Sequence, residues 1–208
     1  MVVGIIGSGN MGGNLARLWS NAGYSVYITS NNLKSTNEIV KNFRNKVNVS
    51  GTEELIKCSN IILFAFPYEA LEDILLYKSI FKGKIIMDCI NPLTPDALSM
   101  LIGFDTSAGE QVADLFPDSK VVKAFNVIAS PVLERDDVRI NSEIPSAFYC
   151  GDDEESKKTV SKLISDIGFE PVDCGNLKNA RYLEPMAELL IQLAFGGLGA
   201  NIAFKLLK

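Results

Sequence analysis

The chain has 208 residues, 47% hydrophobic and 22% charged, which suffices for one α/β domain with its own core and no disulfide or metal needed for folding. Its 20 Lys and Arg face 25 Asp and Glu, a net charge of −5 with no dense basic run, which argues against nucleic acid or an anionic membrane surface as a partner. It has no histidine, which removes His-built zinc sites and the Ser-His-Asp and Cys-His forms of catalysis.

Val2–Ile6 is a continuous apolar run, as expected of a strand covered on both faces. Asn10–Ala22 reads as the next helix, with Leu15, Leu18 and Trp19 at helical spacing and Gly23 as its C-terminal stop. Ser25–Thr29 is a second strand, Lys34–Asn45 a helix, Val47–Val49 a short strand and Thr52–Lys57 a short helix. Asn60–Phe64 is the most apolar run and reads as a central strand. A helix over Tyr68–Ile80 follows, entered through Pro67, and then a strand over Lys84–Met87. After the loop Asn91–Pro95 come a helix around Gly109–Leu115 and a strand over Lys120–Ala124. Ala147–Cys150, Glu154–Ile167 and Glu170–Asp173 form a late αβ extension, and Glu184–Leu207 reads as a long closing helix with Pro185 in its first turn. The alternation predicts an α/β fold: a doubly wound, mostly parallel sheet within one domain, 1–208.

Two stretches bear on location. The N-terminal residues lack a basic flank and run straight into a strand, so no signal peptide is expected. Met186–Phe204 is apolar, but Glu188, Gln192 and Asn201 within it are costly in a bilayer, and a buried or subunit-interface helix is expected instead. Cys58, Cys89, Cys150 and Cys174 fall in no CxxC spacing and read as reduced thiols. A cytoplasmic protein is the expectation.

Gly7-Ser8-Gly9-Asn10-Met11-Gly12 fits GxGxxG between a predicted strand and a predicted helix, the context that gives this motif its weight and marks a Rossmann-type dinucleotide site. Gly7 permits the tight turn, Gly9 lets the backbone approach a pyrophosphate, and Gly12 lets helix and strand pack closely. The pyrophosphate then lies on unpaired N–H groups at the helix N-terminus. The second strand ends in Thr29-Ser30-Asn31-Asn32, with no acid before Glu38 to bond a ribose 2′-OH. Ser30 and Asn31 supply hydrogen bonds and Lys34 supplies charge, which favours NADP over NAD.

Ligands of a doubly wound sheet lie outside the carboxyl ends of its strands. Ala65-Phe66-Pro67, Asn91-Pro92-Leu93 and Phe125–Ala129 meet there. Phe66 and Pro67 are candidate walls for a ribose, and Asn91 a candidate partner for a ribose or nicotinamide amide. Asn126 reads either as a second such partner or as the cap of its own helix. Asp88 reads as a turn acceptor, without a catalytic role. No general acid–base constellation is visible and no residue is assigned as catalytic, so a reaction that needs little proton transfer from protein groups fits best. Hydride transfer between two bound cofactors is such a reaction.

Taken together the motifs resemble the NADPH-dependent reductases of the deazaflavin coenzyme F420, and the related cytosolic domain of the six-transmembrane metalloreductases. The resemblance rests on Gly7–Gly12, Thr29-Ser30, Phe66-Pro67, Asp88 with Asn91-Pro92, Ser107-Ala108-Gly109-Glu110 and Val121-Val122-Lys123-Ala124-Phe125-Asn126. Tyr149–Asp153, Asp173–Leu177, Arg181 and Glu184 follow in family order. It implies that Ser8, Gly9, Asn10 and Met11 hold the pyrophosphate, Ser30 and its neighbour the 2′-phosphate, and Phe66, Asn91 and Ala129 the nicotinamide side. Gly197, Leu198 and Gly199 match the region that a second, ring-shaped cofactor approaches, so segment 177–207 completes the acceptor site or a dimer contact. The family often has Arg after the serine at the second strand's end, where this chain has Asn31. The acceptor classes it implies are coenzyme F420, FMN or FAD, a flavin serving ferric iron included, and the implied assembly is a homodimer. A reductase of a small imine or keto substrate, and an NADP(H) sensor without turnover, are the alternatives.

Overall fold

The computed structural model describes residues 1–207. Eight strands form one sheet: β1 (Val2–Ile6), β2 (Ser25–Thr29), β3 (Asn48–Val49), β4 (Ile61–Phe64), β5 (Ile85–Asp88), β6 (Lys120–Ala124), β7 (Ser146–Gly151) and β8 (Glu170–Asp173). Their order is β3-β2-β1-β4-β5-β6-β7-β8. All neighbours are parallel except β6 and β7. The chain therefore winds outward from β1 through β2 to β3, then crosses back to β4. The reversal lies between β1 and β4, where an open α/β sheet leaves a crevice at its strand ends.

Alternate residues of the central strands feed two cores. Val3, Ile5, Ile61 and Leu63 join one with Leu15 and Trp19 of α1 (Asn10–Asn21) and Val160 and Leu163 of α6 (Glu154–Ser165). Ile6, Ile62 and Phe64 join the other with residues of α3 (Thr52–Cys58), α4 (Ala108–Leu115) and α7 (Ala180–Leu193). Trp19 spans the first core: its indole N–H donates to Leu163 O at 3.0 Å, and its ring stands edge-on to Phe125 at 5.7 Å.

Three expectations are corrected. Helix α2 (Leu33–Val40) stops five residues before Asn45, because the Asn45 side chain instead donates to Ser20 O at 3.0 Å and draws the chain onto the end of α1. Tyr68–Phe81 winds as a 3₁₀ helix. Leu71, Ile74, Tyr77 and Ile80 recur every third residue on its packed side, and that period suits three residues per turn. The closing helix begins earlier and ends sooner than the 184–207 expected. Helix α7 starts at Ala180, with Pro185 in its interior, and a wide π turn over Ala194–Leu198 ends it. Gly197 (φ +110°) and Gly199 (φ +72°) take left-handed backbone that only glycine adopts cheaply. Residues 200–207 then run without helix. Phe204 O accepts from Ser146 N at 3.0 Å, Leu206 N donates to Ser146 Oγ at 3.0 Å, and Lys205 pairs with Glu170 at 2.6 Å. The apolar tail is thus a strap across the start of β7.

Candidate functional site

At the end of β1 the chain turns at Gly7 (φ +109°), whose N–H donates to Thr29 O at 2.8 Å. A Cβ on Gly7 would lie 2.0 Å from Ala65 O, and one on Gly12 would lie 1.9 Å from Gly7 O. The fold itself demands both glycines. Gly9 differs, since a Cβ there would meet nothing within 4 Å. Its missing side chain leaves open space directly before α1. That helix has no side-chain cap and no acid in its first turn, so its leading N–H groups and positive dipole end face that space.

Two cavities meet at this loop and share Gly9, Ala65, Phe66 and Pro67. The first, about 580 Å³, is lined by Gly7, Ser8, Thr29, Ser30, Asn31 and Asn32, with Tyr77 opposite. The second, about 470 Å³, is lined by Asn10, Met11, Asn91, Asn126 and Ala129, and α7 and the turn after it supply its far wall through Leu190, Ala194 and Phe195. The two adjoin at Gly9, beside the N-terminus of α1.

In the first cavity a hydroxyl ladder sets the geometry. Thr36 Oγ1, fully buried, lies 3.0 Å from Ser8 Oγ and 2.8 Å from Ser30 Oγ, joining the glycine loop to the end of β2. Asn32 caps α2 by accepting from Ser35 N at 3.0 Å, which leaves Asn31 exposed at the cavity edge. Lys34 is exposed and outside the lining, and the charged residue that does line this cavity is Asp73. Sequence reasoning missed Thr36. Its one signal was a threonine within the first turn of a helix that starts beside the loop.

In the second cavity Asn91 and Asn126 hold each other. Asn91 Nδ2 donates to Asn126 O at 2.9 Å, and Asn126 Nδ2 donates to Asn91 Oδ1 at 3.0 Å and to Leu183 O at 3.0 Å. Asn126 therefore does not cap α5 (Ser130–Leu133), whose N-terminus has no side-chain cap. Its amide ties the strand ends to α7. Gly197, Leu198 and Gly199 are exposed and outside the lining, while Phe195 and Ala200 on either side of them do line the cavity. No Asp, Glu, Lys, Arg or Tyr lines it among the described residues. Its one ionisable group is Cys89, whose thiol burial and the neighbouring Asp88 push up to about 12, only partly opposed by Lys123.

Behind this wall lies a fully buried ionic triad. Lys123 Nζ stands 2.9 Å from Asp88 Oδ2 and 2.7 Å from Glu184 Oε1, and donates to Ile90 O. Burial alone would push the Lys123 ammonium down, but Asp88 and Glu184 outweigh it and hold the group above the usual lysine range. Glu184 also accepts from Ala108 N at 2.9 Å and Gly109 N at 3.0 Å, so it caps α4, while Asp88 accepts from Ile90 N at 2.9 Å. Arg181 forms a bidentate pair with Glu110, both bonds 2.8 Å. Asp88, Lys123 and Glu184 thus fix the turn that carries Asn91 and dock α7 against it. The clue to Lys123 was a charge inside an otherwise apolar strand.

Comparison with known proteins places this architecture. A family model described as NADP oxidoreductase, coenzyme F420-dependent, matches residues 2–92. The F420-dependent NADP reductase of Methanocaldococcus jannaschii is 33% identical over 180 residues, covering 83% of this chain and 76% of that protein. The chain belongs to the F420-dependent NADP reductase family. The members of that family are described as NADP oxidoreductases. Metalloreductase STEAP3 of Rattus norvegicus is 34% identical over 182 residues, but those cover 88% of this chain and only 35% of that protein. The chain thus spans about a third of one relative and three quarters of the other. A crystal structure from Arthrobacter sp. FB24, described as a candidate F420-dependent NADP reductase, superposes with a TM-score of 0.88 at 23% identity, covering 99% of both chains. No helix among the described residues is long and apolar enough to cross a membrane.

Proposed function

We propose that this protein is a reductase that binds NADP(H) across the two cavities and passes hydride to a flavin or deazaflavin ring in the second. The observation that carries the reading is a second cavity whose described lining holds no Asp, Glu, Lys, Arg or Tyr to act as an acid. Reduction of an imine or ketone must deliver a proton to nitrogen or oxygen as hydride arrives, and enzymes position an acid for that step. Here the only ionisable lining group is a thiol pushed to about 12. A tricyclic ring takes hydride at its central carbon or nitrogen and draws its proton from solvent, so it needs no such acid.

The residues fit a dinucleotide. Gly9 leaves the space that a pyrophosphate needs, and Ser8, Asn10 and Met11 flank it. Thr29, Ser30 and Asn31 offer polar contacts toward an adenosine ribose and its 2′-phosphate. Phe66 and Pro67 form the ridge between the cavities, and Asn91, Asn126 and Ala129 border the nicotinamide side. NADPH, when bound, supplies the hydride. The chain's own residues orient it and exclude water, with Leu190, Ala194 and Phe195 as the apolar wall. The working compartment in this reading is the cytoplasm. The assembly is a homodimer joined through the exposed apolar side chains Tyr182, Leu189 and Leu198.

The test is calorimetric titration with NADPH and NADH, followed by nicotinamide absorbance on adding FMN, FAD or coenzyme F420. NADPH oxidation that requires a ring acceptor is expected. Turnover of a small imine or keto acid instead, or tight binding without oxidation by any acceptor, refutes the reading in favour of an imine reductase or a sensor.

A further inference from the structure

The second cavity is lined entirely by neutral residues among those described. Natural ring acceptors carry side chains that end in phosphate or other anionic groups, and proteins that read a phosphate use an Arg or Lys fork, or the N-terminus of a helix. The N-terminus of α1 faces the pyrophosphate position, and α5 has only four residues, Ser130–Leu133. Two arginines bound to residues that adjoin the lining in the chain, Asn201 beside Ala200 and Leu133 near Pro131, are engaged by other partners. Arg135 donates through Nη1 to Asn201 Oδ1 at 3.3 Å and through Nε to Asp137 O at 3.1 Å. Arg17 donates to Leu133 O at 2.7 Å and pairs with Asp136 at 3.3 Å. The amides of Asn91 and Asn126 are held by each other and by Leu183 O. What remains for an acceptor is apolar surface from Phe195, Ala194, Leu190 and Ile128, suited to stacking.

We infer that this enzyme recognises its acceptor by the tricyclic ring alone and is indifferent to the anionic side chain. The inference rests on the reductase reading and makes the substrate class broader than one coenzyme: any ring of that shape and suitable potential, with or without phosphate.

The experiment measures NADPH oxidation with riboflavin, FMN and FAD, and with the 8-hydroxy-5-deazaflavin riboside that lacks the phosphate tail beside coenzyme F420, at low and high salt. Within each ring type, KM values agreeing within about threefold, and unmoved by salt, are expected. A preference of about tenfold or more for the phosphate-bearing form over its phosphate-free parent overturns the inference while leaving the reductase reading intact. No oxidation with any ring, with NADPH binding retained, overturns the reductase reading itself. Arg135→Ala supplies a second check. Unchanged KM for FMN is expected, and a KM raised for FMN but not riboflavin would identify Arg135 as a reader of the phosphate and overturn the inference.

Discussion

Replacing Lys123 by Met tests whether the buried triad is the joint between the cofactor side and the acceptor wall. The substitution keeps most of the side-chain volume and removes the charge, leaving Asp88 and Glu184 facing each other with no exposure to solvent. Part of their compensation survives, because Glu184 keeps the N–H groups of Ala108 and Gly109 and Asp88 keeps that of Ile90. The two ion-pair bonds are lost, at about 1.5–3 kcal/mol each, together with the bond to Ile90 O. Breaking a buried pair from one side costs about 3–5 kcal/mol, which falls within the same range. At about 2–4 °C per kcal/mol for a chain of this size, Tm drops by roughly 6–20 °C. Thermal melts followed by far-UV circular dichroism measure the Tm, and urea unfolding measures the free energy. Since a whole domain holds only about 5–15 kcal/mol, the double variant Lys123→Met/Glu184→Gln is measured alongside. It is expected to lose at least ~1 kcal/mol less than the sum of its two single variants, because removing one excess carboxylate charge relieves the other. A loss below about 1 kcal/mol for Lys123→Met, or strict additivity, refutes the reasoning.

Four further outcomes follow from the glycine loop, from residue 31 and from the buried thiols. Gly9→Ala is expected to keep the folded chain within about 1 kcal/mol while weakening NADPH binding at least tenfold by calorimetry, because its Cβ has open space only until a pyrophosphate fills it. Gly12→Ala, whose Cβ would stand 1.9 Å from Gly7 O, is expected to lose the fold itself, seen as a lost cooperative melt. Asn31→Arg places a guanidinium at the edge of a cavity whose lining holds no cation, and should raise the NADPH:NADH affinity ratio about tenfold; an unchanged ratio removes residue 31 from the 2′-phosphate site. Burial raises the Cys89 and Cys150 thiols from 9.0 to about 12. The folded chain therefore binds protons more tightly than the unfolded chain, and the stability these thiols add is complete below pH 9 and lost as pH rises toward 12. Unfolding midpoints measured across that window should fall steeply for the native chain and less steeply for Cys89→Ala.

Features set by neighbours in the chain were legible in advance. The strands Lys120–Ala124 and Glu170–Asp173 have the bounds expected of them, and the glycine loop declares itself because three backbone positions within six residues have no room or no need for a Cβ. Features set by distant partners were not. Residues 200–207 are as apolar as a helix of the second core, yet the φ angles of Gly197 and Gly199 release them, and Ser146 offers the backbone another partner. Lys123 meets Asp88 and Glu184 only once β5, β6 and α7 are assembled, so its role could not be read from spacing. Lys34 drew attention by its charge, but the residue one turn into α2 that reaches the loop is Thr36, whose short side chain is compatible with complete burial.

The chain holds a single tryptophan, and its placement makes it an internal light source for the whole machine. Trp19 belongs to the helix that opens at the glycine loop, bonds to Leu163 in the late αβ extension and touches Phe125, a lining residue of the second cavity. Reduced nicotinamide absorbs where indole emits, and oxidised nicotinamide does not. One unlabelled fluorescence trace therefore reports three events in turn: quenching as the reduced cofactor arrives, recovery as its hydride departs, and a red shift when the αβ extension detaches and water reaches the indole.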